Sequence, residues 1–273
     1  MATGSHDEPT GALPPASGGR LRSVRRLTQR KHRVESGEFL AEGPQAVREA
    51  IAYARALELY VVPSPRADDL VGAAARAGVP AYSVTEAELN RLTDTVHPQG
   101  VVAVCTWPTA TLPDLPADAR LVVVCAQIRD PGNAGTVIRC ADAFGADAVI
   151  LSADSVEVTN PKVVRASVGS IFHLPVITGV PLADAIADLR RRGLQVLAAE
   201  GGGEDQLDRM AAADELSRPT AWVMGNEAWG LPPEHAELAD RRVAVPIWGA
   251  AESLNLATAA AVCLYATASA QRS

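Results

Sequence analysis

The chain has 273 residues, 48% of them apolar and 21% charged, so it can bury a sizeable core and is long enough for two small domains. Its aromatic content of 4% disfavours a nucleic-acid surface built from exposed stacking rings. The net charge of −7 opposes binding to a polyanion unless positive charge is concentrated locally, so the distribution of basic residues matters more than their sum.

Residues 1–19 are rich in Gly, Pro, Ser and Thr, and we expect a disordered tail because little apolar surface offsets the entropy of ordering. Acids and prolines stand where a secretory signal would need basic residues followed by an apolar stretch. No apolar run reaches the roughly 18 residues of a membrane span. We therefore expect a cytoplasmic protein without membrane contact.

A basic segment follows, with seven Arg or Lys residues and no acid between Arg20 and Arg33. Leu21, Val24 and Leu27 are spaced for one apolar helical face. We expect the basic side chains to contact RNA phosphates, although a solvated basic helix would show the same pattern. The predicted RNA-binding residues are Arg22, Arg25, Arg26, Arg30 and Lys31.

Strand and helix patterns then alternate and predict a small α/β domain over residues 20–107. Three prolines predict a linker over 108–118, because proline disfavours both helix and sheet pairing. The predicted strands are 39–41, 59–62, 81–84 and 100–106, and the predicted helices are 45–56, 68–77 and 86–92.

A second, larger α/β domain is predicted over residues 119–273. Its first strand, 121–124, is a continuous apolar run, which is typical of a parallel strand buried on both faces. A long helix is predicted at the end of the chain, over 255–268. Further strands are predicted at 148–151, 175–178, 195–199, 221–224 and 242–245.

The four cysteines are far apart and lie in apolar surroundings, without paired spacing or a neighbouring histidine. We expect reduced core residues and no metal site. Gly201, Gly202 and Gly203 lack the spacing of a dinucleotide-binding loop, and we interpret them as a flexible turn.

The first motif follows strand 121–124 and reads DPGNAGTVIR. Pro131 and Gly132 predict a turn, after which Asn133 opens a helix as its N-cap. Arg139 comes six residues later, and we expect it near the same helical face as Asn133. Taken alone, such an arginine is more typical of a surface salt bridge.

The second motif is the strand end Gly225-Asn226-Glu227. Gly225 would let a ligand approach the backbone, whereas Glu227 alone could be an acid at a helix start. The third motif runs from Val245 through a Gly-Ala loop to Ser253-Leu254-Asn255, directly before an Ala-rich helix. Either Ser253 or Asn255 could be the N-cap of that helix.

These three motifs, in this order and spacing, resemble the SpoU branch of the SPOUT RNA methyltransferases. FLAEGPQAVREAI and HPQGVVAV resemble the start and end of the ribosomal-protein-like RNA-binding domain of many SpoU enzymes, so the resemblance covers about residues 20–270. It implies a C-terminal α/β SPOUT trefoil-knot domain with a parallel sheet, preceded by a small α/β RNA-binding domain. It also implies S-adenosylmethionine as cofactor and a homodimer with cofactor pockets at the subunit interface.

The resemblance also implies roles for single residues. Arg139 would act on a ribose 2′-hydroxyl, and since a guanidinium keeps its proton we expect it to polarise the hydroxyl or a neighbouring phosphate. Asn133 and Glu227 would orient Arg139, while Ser253 and Asn255 would shape the pocket. The implied cofactor-binding residues are Gly225, Asn226, Val245, Ile247 and Leu254.

The function implied is 2′-O-ribose methylation of structured RNA. The two-domain layout is closer to the enzymes of 23S ribosomal RNA, including antibiotic-resistance enzymes, than to those of tRNA. A tRNA 2′-O-methyltransferase and a non-catalytic RNA-binding protein of this fold remain alternatives. A small-molecule methyltransferase is disfavoured by the extra N-terminal domain and its basic segment.

Overall fold

A computed structural model describes residues 12–95, 97–107, 110–226 and 228–273. The chain divides into two compact units, with the boundary between Thr106 and Trp107. Within the described residues, no helix combines the length and the apolar character that crossing a membrane requires.

The first unit contains a four-stranded sheet in the order β1-β4-β2-β3. Strand β4 pairs antiparallel with β1 and with β2, and β3 pairs parallel with β2. The elements are α1 (Gly18–Arg26), α2 (Arg30–Ser36), β1 (Glu38–Glu42), α3 (Pro44–Ala52), β2 (Ala56–Val61), α4 (Asp68–Arg76), β3 (Ala81–Ser83), α5 (Glu86–Leu92) and β4 (Val101–Thr106).

The apolar face predicted for the basic segment is confirmed. Val24 and Leu27 are buried, and Leu21 packs beside them against the side chains of β2, β4 and α5. Tyr60 belongs to this cluster and is fully buried. Burial of these side chains holds α1 on the sheet, which leaves its basic residues on the outer face.

Residues 12–19 are not the disordered tail that their composition predicts. The Ala16 N–H donates to the Ser83 carbonyl (3.0 Å), and the Ser83 N–H donates to the Pro14 carbonyl (2.9 Å). The tail thus satisfies backbone groups that β3, an edge strand, would otherwise leave unpaired. Residues 1–11 of the predicted tail lie outside the described residues.

The second unit contains a seven-stranded sheet in which every neighbouring pair is parallel, in the order β7-β6-β5-β10-β8-β11-β9. The predicted α/β class with a parallel sheet is confirmed. The elements are β5 (Leu121–Cys125), α6 (Pro131–Ala143), β6 (Ala148–Ser152), α7 (Pro161–Ser167), β7 (Val176–Val180), α8 (Leu182–Arg191), β8 (Gln195–Ala199), β9 (Asp205–Gln206), α9 (Leu207–Ala212), β10 (Thr220–Met224), α10 (Pro233–Ala236), β11 (Arg241–Ala244) and α11 (Leu256–Arg272).

The predicted linker is partly packed against the second unit. Ala110 forms a β-bridge with Ile177 of β7, and a short 3-10 turn spans Leu112–Asp114. Arg192 donates to the carbonyls of Leu112 (3.0 Å) and Leu115 (3.1 Å). These bonds satisfy backbone groups of a proline-containing segment that has no regular pairing of its own.

The winding of the sheet reverses between its central strands β5 and β10. After β5 the chain winds through β6 to β7 on one side, whereas β10 is followed by β11 on the other side. Ligand-binding loops of open parallel sheets lie beside such a reversal, at the carboxyl edge of the strands.

Helix α11 packs one face on the sheet and on α6. The Trp222 indole N–H of β10 donates to the Thr267 hydroxyl (2.9 Å), and both side chains are fully buried. The opposite face exposes Val262 and Tyr265. The Ala-rich end of the chain thus belongs to the core on one side and leaves apolar side chains exposed on the other.

Candidate functional site

A cavity of about 770 Å³ lies at the carboxyl ends of β8, β10 and β11. Ligands of open parallel α/β sheets bind at this edge, and the volume lies within the range of small-molecule sites. The structure brings together all five residues predicted to bind the cofactor. The cavity is lined by Gly225, Asn226, Val245, Ile247 and Leu254.

Gly225 is required for a different reason from the predicted one. A Cβ atom at this position would lie 2.4 Å from the Gly230 carbonyl carbon and 2.7 Å from the Leu231 nitrogen. The space that a side chain would need is therefore occupied by the chain's own returning loop. Gly225 allows the loop to close, and the closed loop forms a wall of the cavity.

Asn226 fastens this loop to the neighbouring strand. Its side-chain amide donates to the Gln127 carbonyl (2.7 Å), and its Oδ1 accepts from the Ala228 N–H (2.8 Å). Gln127 adopts a left-handed backbone (φ +53°), and its N–H donates to the Ser152 hydroxyl (2.9 Å). The Asn226 side chain thus links the loops after β5 and β10, so it positions the site through backbone contacts.

The first and third motifs meet through two asparagines. The Asn255 Nδ2 donates to the Asn133 Oδ1 (3.0 Å). Asn255 is also the N-cap of α11, because its Oδ1 accepts from the N–H groups of Ala257 (2.9 Å) and Thr258 (3.3 Å). Ser253, the other cap candidate, lines the cavity two residues earlier, as Asn255 itself does.

Asn133 is not the N-cap of α6. The helix begins at Pro131, and Asp130 is the cap, accepting from the Asn133 N–H (2.7 Å). The residues read as a turn are the first helical turn, since proline suits the first helical position. Asn133 therefore presents its side chain from inside the helix.

Arg139 lies on α6, is exposed, and does not line the cavity of its own chain. The expectation that it shares a helical face with Asn133 is wrong. Six residues of α-helix correspond to about 120° around the axis and roughly 9 Å along it. Asn133 points to α11 and the third motif, while Arg139 projects from a different side of α6.

Glu227, the remaining predicted catalytic residue, lies outside the described residues. Trp229, two residues later in the sequence, lines the cavity and is half exposed. The Arg129 guanidinium stacks over the Trp229 ring at 5.0 Å, which connects the loops after β5 and β10 a second time. Sequence analysis missed this pair, because composition says nothing about where single aromatic residues lie.

The glycine run after β8 is not merely a flexible turn. A Cβ atom on Gly203 would lie 2.7 Å from the Arg242 carbonyl, so this residue packs directly on the backbone of β11. Glu200 and Gly201 line the cavity just before it. The position of Glu200, directly after an apolar strand, is the signal that could have identified it.

The basic segment does not present all its charges to solvent. Arg33 is only 5% exposed and donates to the carbonyls of Leu27 (2.9 Å) and Thr28 (2.8 Å), which lie beyond the end of α1. Arg20 pairs with Glu58 and stacks over Tyr82. The five residues predicted to bind RNA are exposed: Arg22, Arg25, Arg26, Arg30 and Lys31.

Residues 120–265 match the SpoU rRNA Methylase family, and residues 19–103 match the MRM3-like substrate binding domain. The chain belongs to the SpoU family. A 23S rRNA (guanosine(2553)-2′-O)-methyltransferase of Bacillus subtilis is 32% identical over 255 residues, covering 93% of this chain and 97% of the relative. The 23S rRNA (uridine(2479)-2′-O)-methyltransferase of Streptomyces viridochromogenes is 30% identical, covering 88% and 85%. The family prediction is confirmed.

Two solved methyltransferase structures have the same fold as this chain. An AdoMet-bound rRNA methyltransferase from Sinorhizobium meliloti superposes with a TM-score of 0.81 at 32% identity, covering 93% of this chain and 96% of that chain. The SpoU methyltransferase AviRb from Streptomyces viridochromogenes gives a TM-score of 0.82 at 27% identity, covering 93% and 98%.

Proposed function

We propose that this SpoU member transfers a methyl group from S-adenosylmethionine to a ribose 2′-hydroxyl of 23S ribosomal RNA in the cytoplasm. The observation that carries the proposal is that the second and third motifs line one cavity and that Asn133 of the first motif contacts Asn255 of the third. The names of the relatives in Bacillus and Streptomyces support ribosomal RNA as the substrate class.

The cavity suits a nucleoside-type cofactor. Its walls are loop backbones at three strand ends, and Ile247 and Leu254 add apolar surface on which a flat heterocycle can pack. Main-chain groups at Gly225, Val245 and Leu254 would hold the cofactor. When bound, S-adenosylmethionine supplies a methyl group on a positively charged sulfur, which is electrophilic enough for direct displacement by an oxygen.

Arg139 is the residue that would act on the substrate. A guanidinium keeps its proton, so it serves as a donor that polarises the 2′-hydroxyl or holds the adjacent phosphate rather than as a base. Its main contribution is to orient the substrate, since correct alignment of reactants can lower the activation barrier by about 7–11 kcal/mol.

The same geometry supports a homodimer. Arg139 does not line the cavity of its own chain, and α11 exposes Val262 and Tyr265 beside α6. A second copy packed on this face would bring its Arg139 to the cavity and cover these apolar side chains. We therefore propose that each active site takes its arginine from the partner.

The trefoil knot is part of this proposal. Strand β11 lies near one edge of the sheet, yet the following segment returns to pack α11 on β10 and α6 in the centre. Threading of this segment through the preceding loops would place the third motif against the second, as the SpoU resemblance implies.

The substrate class is tested by methyl transfer from tritiated S-adenosylmethionine to unmodified 23S ribosomal RNA and, separately, to bulk tRNA. We expect label in ribosomal RNA. Label in tRNA alone would support the alternative activity. Cofactor binding without label in either RNA would support a non-catalytic RNA-binding protein.

A further inference from the structure

Glu200 occupies a special position in the cavity. It is the first residue after β8, and β8 lies directly beside β10, the strand that leads into Gly225. Its N–H donates to the Val243 carbonyl of β11 (3.0 Å), which fixes its backbone between two strands. Three residues later Gly203 packs on β11, so the loop that carries Glu200 is held at both ends.

The carboxylate of Glu200 lacks an expected partner. Its Oε2 is completely shielded from solvent and accepts no hydrogen bond from any described part of the chain. The Arg242 charge acts on it electrostatically, but the Arg242 guanidinium is paired with Glu204. A shielded carboxylate oxygen without a donor is costly, so its retention in a native protein requires an explanation, and a donor on a bound ligand is one that fits a carboxylate in a cavity wall.

Two carboxylates line the cavity within the described residues, and they differ in environment. Glu252 is exposed, so water satisfies its oxygens, whereas Glu200 has one oxygen that water does not reach. In open α/β sheets that bind nucleotides, an acid at a strand's carboxyl end commonly accepts hydrogen bonds from ribose hydroxyls. A carboxylate presents acceptors that match a vicinal diol.

We propose that Glu200 binds the ribose hydroxyls of the S-adenosylmethionine adenosine. This assignment rests on the proposed function, because it takes S-adenosylmethionine as the occupant of the cavity. It makes Glu200 a cofactor-binding residue that holds the adenosine at the β8 side of the cavity, opposite the loop of the third motif.

Calorimetric titration of the wild type and of the Glu200→Gln and Glu200→Ala variants tests the assignment with two ligands. S-adenosylhomocysteine carries both the ribose and the amino acid, whereas 5′-methylthioadenosine carries the ribose alone. We expect Glu200→Ala to weaken both ligands by about 10- to 100-fold, the effect of losing hydrogen bonds to a charged group. Glu200→Gln should show a smaller loss.

Three results would overturn the assignment. Unchanged affinity of both variants for both ligands would mean that Glu200 does not bind the ligand. A loss for S-adenosylhomocysteine alone would assign the carboxylate to the α-ammonium group. A wild type that binds neither ligand would contradict the proposed function as well, which distinguishes that failure from the first two.

Glu234→Gln is the matched control, since Glu234 is exposed, does not line the cavity and undergoes the same change in charge, so both affinities should stay unchanged. The melting temperatures of the ligand-free variants show whether Glu200 stabilises the fold or only binds the ligand. Because the shielded oxygen has no partner to lose, Glu200→Gln should melt no lower than the wild type, and its stabilisation by S-adenosylhomocysteine should shrink. A lower melting temperature without ligand, with unchanged ligand affinity, would contradict the assignment.

Discussion

Asn255 has two functions that can be separated by substitution. It caps α11 through its Oδ1 and reaches Asn133 of the first motif through its Nδ2. The cap stabilises the fold, because it satisfies two N–H groups of the first helical turn. The contact with Asn133 links the loop that lines the cavity to the helix that carries Arg139.

Asn255→Ala should destabilise the protein by about 1 kcal/mol and lower methyl transfer by about tenfold or more, because cap and contact are both lost. Asn255→Ser should recover the stability, since serine also caps helices, but its side chain is too short to reach Asn133. Denaturant unfolding and methyl-transfer rates measure the two effects. Full activity of Asn255→Ser would mean that the contact between the motifs is dispensable.

Sequence analysis named the residues around the cavity more reliably than the reasons for them. The five predicted cofactor residues share one cavity. The roles of Gly225 and Asn133, however, differ from those expected. Gly225 leaves space for the backbone of Gly230, and Asn133 lies inside α6, whose N-cap is Asp130. A local pattern does not reveal which neighbouring backbone fills a space, so these reasons required the structure.

At the level of elements, helices α6 and α7 pack against each other at Gly135. A Cβ atom on Gly135 of α6 would lie 2.5 Å from both the Ala166 Cβ and the Val163 carbonyl oxygen of α7. The two helices can therefore touch only because residue 135 has no side chain. Since α6 also carries Asn133 and Arg139, this contact fixes the position of the first motif.

Gly135→Ala should destabilise the protein by about 1–3 kcal/mol in denaturant unfolding, even though alanine favours helices, because the helices must separate. Gly72→Ala is the control, since Gly72 lies in α4 and a Cβ there meets only the end of Arg76 at 3.4 Å. It should stabilise the first unit by about 0.5–1 kcal/mol. Wild-type stability of Gly135→Ala would contradict the packing argument.

The apolar runs of the buried strands predicted the regular elements well. Strands 195–199 and 221–224 agree with β8 and β10 to within one residue. The two-residue strand β9 was not predicted, because its pairing depends on the distant strand β11 and not on an apolar pattern of its own. The ordered residues 12–19 were missed for the same reason, since β3 supplies their partners.

For the whole molecule, net charge and local charge have opposite signs. The chain carries −7 overall, yet the outer faces of α1 and α2 expose five basic residues: Arg22, Arg25, Arg26, Arg30 and Lys31. A polyanion would be attracted to this surface and repelled from the acidic remainder, which favours one orientation of RNA on the protein.

Replacing Arg22, Arg25 and Arg26 together by alanine should reduce the slope of log K against log salt for RNA binding by about two to three, because each lost phosphate contact removes roughly 0.7–0.9. A triple alanine variant of the exposed Arg48, Arg66 and Arg76, in the same unit, has the same change in net charge. It should keep the wild-type slope. Equal slopes for both triple variants would mean that the basic segment is a solvated helix that does not contact RNA phosphates.

The proposed dimer predicts complementation between two inactive variants. Arg139→Ala lacks the arginine, and Leu254→Arg places a charged side chain in the cavity wall. Unfolded and refolded together, the two variants should form hybrid dimers with one complete site out of two, so isolated hybrids should regain up to about half of the wild-type activity. No recovery in hybrids isolated by two affinity tags would contradict a shared active site.

Neither the proposed dimer nor the proposed knot can be derived from composition or periodicity. A knot would depend on how distant segments of one chain pass each other and a dimer on how two copies pack, and the sequence indicated both only through its resemblance to a family. The α/β class and the family, by contrast, followed from strands and motifs that are local in the chain, such as 121–124 and the DPGN segment.

The most direct test of the account is the position of the methyl group on ribosomal RNA and its dependence on Arg139. Ribosomal RNA labelled by the wild type with tritiated S-adenosylmethionine would be hydrolysed with alkali, beside RNA treated with Arg139→Ala. The account predicts label in alkali-resistant dinucleotides, because a methylated 2′-oxygen cannot attack the neighbouring phosphate, and loss of label in Arg139→Ala with S-adenosylhomocysteine binding intact. Label in mononucleotides, or undiminished label with Arg139→Ala, would contradict it.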